Sequence, residues 1–249
     1  MTITVQSVID KIKVTLQDTQ GIRWTAAELL AWLNDAQREI VLFKPDASAT
    51  TAVIALAVGT RQTIPAAGNR LLRVVRNMSA LSGGDGRRAV RLVERDSLDS
   101  QAPDWHSPAV TGEAAHTTAI KHYTYDEQDP RSFYVFPGVA GTTSWAEIVY
   151  SADLADVALA GNVSVPDIYA NAIVDYVLFR AYTKDAEFAA NEERAKTHYS
   201  IFMGAVGGKV ALDGLTTPNL SRRIGPVLDT GANQVYGQRR PGDGNFGAR

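Results

Sequence analysis

The residues able to do chemistry are few, and their spacing is unhelpful to catalysis. Four histidines, His106, His116, His122 and His198, are the only imidazoles. None sits in an HExxH or HxH pattern, so they read as loop or surface histidines rather than metal ligands. The chain has no cysteine. That excludes a thiol nucleophile, a disulfide scaffold and a Cys-ligated zinc or iron–sulfur centre. No GxSxG elbow supplies a serine. The acids Asp126, Glu127 and Asp129 precede Pro130, where acids serve turns through local hydrogen bonds. A hydrolase would have to work through such groups, with His122 or Asp126 the residues to substitute, and nothing else points there. Gly83-Gly84-Asp85-Gly86-Arg87-Arg88 lacks a GKS/T ending and leads into a strand pattern, so it reads as a hairpin turn, not a phosphate cradle. The expectation is no catalytic residue, no cofactor and no metal.

Binding chemistry is the remaining possibility. Tyr123, Tyr125, Phe133, Tyr134 and Phe136 have the spacing of base-stacking platforms, but their flanks are acidic, which favours core or interface roles. Near the C-terminus, Arg222-Arg223 and Arg239-Arg240 admit two readings. As a nucleic-acid-binding module they would contact phosphates with counterion release. As a docking arm they would pair with carboxylates on a protein. Diluted by glycine and aspartate, and accompanied by Leu220, Ile224, Tyr236 and Phe246, they suit docking better.

The elements that must position these groups follow from periodicity. Val5, Val8, Ile9, Ile12 and Leu16 recur at helical spacing. Thr25-Ala26-Ala27-Glu28 predicts a capping box ahead of a second apolar stripe, Leu29 to Val41, which Lys44-Pro45 stops. From Ala47 to about Asp156 the period shortens. Thr51–Ala57 with Arg61–Ile64, and Leu71–Met78 with Ala89–Val93, predict two hairpins; three further strands are expected at Ile120–Tyr125, Phe133–Phe136 and Trp145–Tyr150. The polar stretch from Glu94 to His116 predicts an irregular loop. The expectation is a small antiparallel sheet or open barrel of five to seven strands.

Helical character returns at Ser164-Val165-Pro166-Asp167, a capped start. The helix that follows is apolar almost all round and must be covered on several sides. Ile168, Tyr169, Ile173, Tyr176 and Phe179 are therefore the candidate subunit-interface residues, to be covered by the N-terminal helices, by a neighbouring subunit, or by both. A second long helix is expected from about Asp185 to Ala211.

No apolar run reaches the roughly 20 residues that span a bilayer, and the charged N-terminus is not a signal peptide in pattern. The formal charge is −2. It hides a division: residues 1–212 carry 20 basic and 24 acidic groups, residues 213–249 five and three. Those last 37 residues contain seven glycines and three prolines and show no period, the composition of an extended arm. Fully extended, they would reach about 120 Å.

Two runs carry a family resemblance. The first is Trp24-Thr25-Ala26-Ala27-Glu28-Leu29-Leu30-Ala31-Trp32-Leu33-Asn34-Asp35-Ala36-Gln37-Arg38-Glu39-Ile40, closed by Lys44-Pro45-Asp46-Ala47. The second is Tyr176-Val177-Leu178-Phe179-Arg180-Ala181-Tyr182-Thr183-Lys184-Asp185-Ala186-Glu187, with Asn191, Arg194-Ala195 and His198-Tyr199. Together they resemble the signatures of tailed-phage head-to-tail connector (adaptor) proteins, similar in organisation to the tubular tail proteins of short-tailed phages. The resemblance implies a homo-oligomeric, usually dodecameric, ring beneath the portal protein, joined distally to a tail nozzle or tube protein, with DNA passing through the lumen without specific binding. It implies a place in the virion neck, after assembly in the host cytoplasm, and no membrane partner.

The reading is thus an α+β protein. Residues 1–46 and 161–212 supply helical hairpins of one bundle, 47–160 an inserted β-rich domain, and 213–249 a portal-docking arm with Leu220, Arg222, Arg223, Ile224, Tyr236, Arg239, Arg240 and Phe246 as its contacts.

Overall fold

The computed structural model describes residues 3–185, 187 and 189–216. The chain divides into two units, Met1–Val206 and Gly207–Arg249. Among the described residues it is an α+β protein with five α-helices and two four-stranded sheets.

Helix α1 (Val5–Thr15) starts where the Thr4 hydroxyl accepts the Ser7 N–H, and it buries Val5, Val8, Ile9 and Ile12. Its successor α2 (Ala26–Phe43) is separated by a tight turn built on Asp18. That carboxylate accepts the backbone N–H groups of Ile22, Arg23 and Trp24 at 2.9, 2.8 and 2.9 Å. These bonds, that to Trp24 above all, hold the Asp18 carboxyl below its usual pKa, because each stabilises the anion. At the α2 N-terminus Thr25 accepts the Glu28 N–H at 3.3 Å, so one limb of the expected capping box forms. The other limb gives way to an ion pair: the Glu28 carboxylate takes the Lys184 ammonium at 2.7 and 2.8 Å.

A 3-10 turn, Pro45–Ser48, leads into the β region. One sheet has the order β1-β8-β3-β4, with β1 Ala49–Ala55, β8 Trp145–Ala152, β3 Gly68–Met78 and β4 Gly86–Ala89. The other has the order β2-β7-β6-β5, with β2 Gly59–Thr63, β7 Ser132–Val139, β6 His122–Tyr125 and β5 Arg91–Leu92. Leu71, Val74, Ala146, Ile148 and Tyr150 of the first sheet share one buried core with Tyr123, Phe133, Val135 and Val139 of the second. The sheets therefore stack, as in a sandwich, in place of the expected single sheet or open barrel.

Two connections differ from the sequence expectation. β1 and β2 do not form a hairpin; β1 pairs with β8 and β2 with β7, so the chain crosses between sheets at Leu56–Val58. The crossing is driven by burial of Leu56 and Ile64 in the shared core. A hairpin from β3 does form, but with Gly86–Ala89 in place of the expected Ala89–Val93; the chain then passes to the other sheet, where β5 pairs with β6 in parallel.

The segment expected to be an irregular loop is also more ordered. It contains α3 (Arg95–Gln101) and a 3-10 turn, Gly112–Ala114. Its anchor is Trp105, wholly buried, whose ring meets Tyr134 and Phe136 edge-on at 6.4 and 6.2 Å. Alternation along β7 sends Phe133 and Val135 into the sandwich and Tyr134 and Phe136 to the opposite face, which this strap covers. Leu98 and Ala114 are buried with Trp105, and Ala102 and Val110 pack against them, so this otherwise polar stretch has a small core of its own.

The chain returns through α4 (Ala170–Lys184) and α5 (Ala189–Thr216). Residues from α1, α2 and α4, together with Phe202 and Val206 of α5, form one continuous buried core distinct from that of the sandwich.

Candidate functional site

The two signature runs, far apart in sequence, meet at one end of the helices. Arg23, beside the first run, pairs with Asp185 of the second at 2.6 Å, next to the Glu28–Lys184 pair. On the same side the Arg194 guanidinium lies over the Tyr182 ring at 5.7 Å. Tyr182 stacks on His198, whose Nδ1 is 2.9 Å from the Asp175 carboxylate. A cleft of about 440 Å³ opens there, lined by Gln17, Arg23, Trp24, Tyr182, Asp185 and Arg194 among others. The two pairs link the N-terminal end of α2 to the C-terminal end of α4.

Further along α2, the polar members of the first run hold the chain that returns from the sandwich. Gln37 is 1% exposed. Its Oε1 accepts the Ser164 N–H at 2.7 Å, and its Nε2 donates to Asn34 Oδ1 at 3.3 Å. That Asn34 oxygen also accepts the Val157 N–H at 3.0 Å. The same linker is strapped to the N-terminus, because Val5 donates to the Gly161 carbonyl and Val163 to the Ile3 carbonyl. Periodicity assigns a physical role to the apolar stripe of this helix but not to Asn34 and Gln37, whose i, i+3 spacing amid Leu and Ala is the signal in the sequence.

The candidate interface residues are placed unequally. Tyr169, Ile173 and Tyr176 are buried by the chain's own helices, with Tyr176 against Phe202 at 5.2 Å. Phe179 is half-buried against Tyr199. Ile168 is 66% exposed and is the residue of this set that the chain itself leaves open. The eight arm residues from Leu220 to Phe246 lie outside the described residues.

No three His, Cys, Asp or Glu side chains converge as metal ligands among the described residues. Two more histidines pack on aromatic rings: His106 stacks on Trp105 and meets the Thr60 hydroxyl at 2.8 Å, and His122 stacks on Phe136. Burial lowers the pKa of both, assisted by Arg95 at His106 and by Arg88, Arg91 and Lys121 at His122. Asp126, at the opposite end of β6 from His122, accepts the Gln128 N–H, and Glu127 and Asp129 face Arg70 and Arg61 at 3.6 and 3.4 Å. The Gly83 turn leads into strand β4, not a helix. No helix among the described residues is long and apolar enough to cross a membrane.

Geometry of this kind positions helices and a linker and offers surfaces. Comparison with known proteins agrees in kind. No curated protein matches the chain at a significant level. The family description "SU10 adaptor protein" matches residues 3–223, which takes in both signature runs and every element described above. The chain belongs to the SU10 adaptor protein family of phage head–tail adaptors.

Proposed function

We propose that this chain is a non-enzymatic structural adaptor of the virion neck. Its copies form a ring, on the family pattern a dodecamer, that joins the portal to a tail nozzle or tube protein and lets DNA pass through the lumen. In this reading residues 1–46 and 161–212 act as one helical bundle, 47–160 as the β domain that faces the distal tail, and 213–249 as an arm docking the portal. Ile168 and Phe179 supply apolar contact between neighbours, and Leu220, Arg222, Arg223, Ile224, Tyr236, Arg239, Arg240 and Phe246 contact the portal.

The observation that carries this reading is the family match across nearly the whole chain. The mildly acidic body is compatible with a DNA channel, because a strongly basic lumen would retain DNA by counterion release. The test is deletion of residues 217–249, the part of the arm beyond α5. Loss of binding to isolated portal rings, with an unchanged circular dichroism spectrum, is the expected result. Unchanged affinity would remove the arm from the account.

A further inference from the structure

The arginines of the β domain are unevenly placed. From Gly68 to Leu92, the start of β3 to the end of β5, the chain carries six arginines against one acid, Asp85, although the whole protein has a formal charge of −2. Arg70 and Arg76 meet Glu127 and Glu147. Arg87, Arg88 and Arg91 meet no carboxylate within ion-pair distance among the described residues, and neither does Lys121. All four residues of β4 and both of β5 are exposed.

The fold holds these cations together. Asn77 of β3 is 3% exposed. Its Nδ2 donates to the carbonyls of Arg88 and Ile120, both at 2.8 Å, and its Oδ1 accepts the Ile120 N–H at 2.9 Å. One residue beyond Ile120, the Lys121 carbonyl accepts the Arg91 N–H at 3.2 Å. Arg88, Arg91 and Lys121 are thereby fixed along one margin, where a strand of each sheet is tied to the other. After burial, these three cations are what lowers the pKa of His122, so their fields converge on one point. Like charges clamped side by side cost stability, and a surface that needed only solubility would disperse them among acids. A partner's negative charge removes that cost.

We propose that Arg87, Arg88, Arg91 and Lys121, with Leu81 and Leu92 as apolar anchors, dock an acidic face of the next tail protein, the nozzle or tube component. Charge complementarity calls for an anionic partner, and the leucines select protein over DNA. Leu81, in the turn between β3 and β4, is 54% exposed, and Leu92, next to Arg91, is 53% exposed. Phosphates would take up the cations but give a leucine nothing to pack on, whereas a protein interface sets apolar contacts among arginines. Strands as short and charged as β4 and β5 resist strand addition, so the docking is through side chains. The proposal rests on the adaptor reading and specifies the chemistry of its distal partner.

Complementation tests it. An extract of cells infected with the phage deleted for this chain supplies portal-bearing heads and unattached tail proteins, and the purified full-length chain is added back. The parent chain should bind the heads and bring the tail protein onto them. Arg87→Glu with Arg88→Glu and Arg91→Glu should melt like the parent, bind heads equally and recruit the tail protein at least about tenfold less. Leu81→Ser with Leu92→Ser should also weaken recruitment, while leaving unchanged any retention of a DNA duplex of about 20 base pairs. Equal recruitment by the Glu variant would overturn the proposal. So would a Glu variant that recruits normally but loses binding to that duplex, which would assign the patch to DNA. Loss of head binding in the Glu variant would place the patch in the ring or portal contact and overturn it as well. A parent chain that binds heads but recruits nothing would overturn the proposal and leave the portal side of the adaptor reading standing; a parent that binds no heads would overturn both.

Discussion

Gln37 accepts the Ser164 N–H at 2.7 Å from a side chain that is 1% exposed, joining α2 to a linker 127 residues away in sequence. The bond is partly buried, and loss of the side chain also removes the buried bond that Gln37 Nε2 donates to Asn34 Oδ1. Gln37→Ala should therefore destabilise the protein by about 1–3 kcal/mol. Arg38→Ala, one residue on, removes surface pairs with Asp35 and Asp156 and should cost about 0–1 kcal/mol. Urea unfolding of the two variants checks the ordering.

Packing, not charge, should dominate where the two signature runs meet. The Glu28–Lys184 pair has side chains 29% and 46% exposed, so a double-mutant cycle on it should return a coupling of about 0.2–1 kcal/mol. Phe202 is buried among Tyr176 and Tyr199. Phe202→Ala should cost about 3–5 kcal/mol. Equal effects would mean the ion pairs hold the helices more strongly than their exposure allows.

Trp105 should govern the strap independently of the helices. Trp105→Ala removes the ring packed against Tyr134 and Phe136 and leaves Asp99 without the indole donor it meets at 2.8 Å. Proteolysis is expected to cut between Glu94 and His116 in this variant while α1, α2 and α4 stay protected. Equal protection of the strap in both proteins would contradict its anchoring role.

Acid should weaken the β region before the carboxylates titrate. His106 and His122 have folded pKa values below the ordinary 6.5, so the unfolded chain binds protons more readily. Stability from these groups is fully present above pH 6.5 and falls as pH drops toward their folded values. The melting temperature should be lower at pH 5 than at pH 7, and His106→Gln with His122→Gln should narrow that difference. An unchanged difference would assign the acid sensitivity elsewhere.

The helices were legible in the sequence because Val5, Val8, Ile9 and Ile12, and the stripe from Leu29 to Val41, repeat at the helical period and bury as one face. Strand positions were legible for the same reason, at period two. Strand partners were not. Adjacent strands joined by a glycine turn read as a hairpin, yet Leu56 and Ile64 gain more by entering a shared core, which places β1 and β2 in different sheets. Nor could spacing show that Trp105 would find Tyr134 and Phe136, since that contact depends on which face of β7 the sandwich leaves open. The physical role of Asn34 and Gln37 in α2 is not legible from sequence because their partners, Val157 and Ser164, are backbone groups brought in by the fold. The resemblance carried by Trp24–Ala47 and Tyr176–Tyr199 identified the family, while the physical role of those residues emerged from their meeting in space.

The central claim is that this chain works as an assembled adaptor on a portal, and mass measurement of the full chain mixed with portal rings tests it most directly. The account predicts one discrete complex holding a closed ring of chains on each portal ring. A chain that stays unassembled beside intact portal rings, at concentrations well above those of the mixture's portal sites, would contradict it.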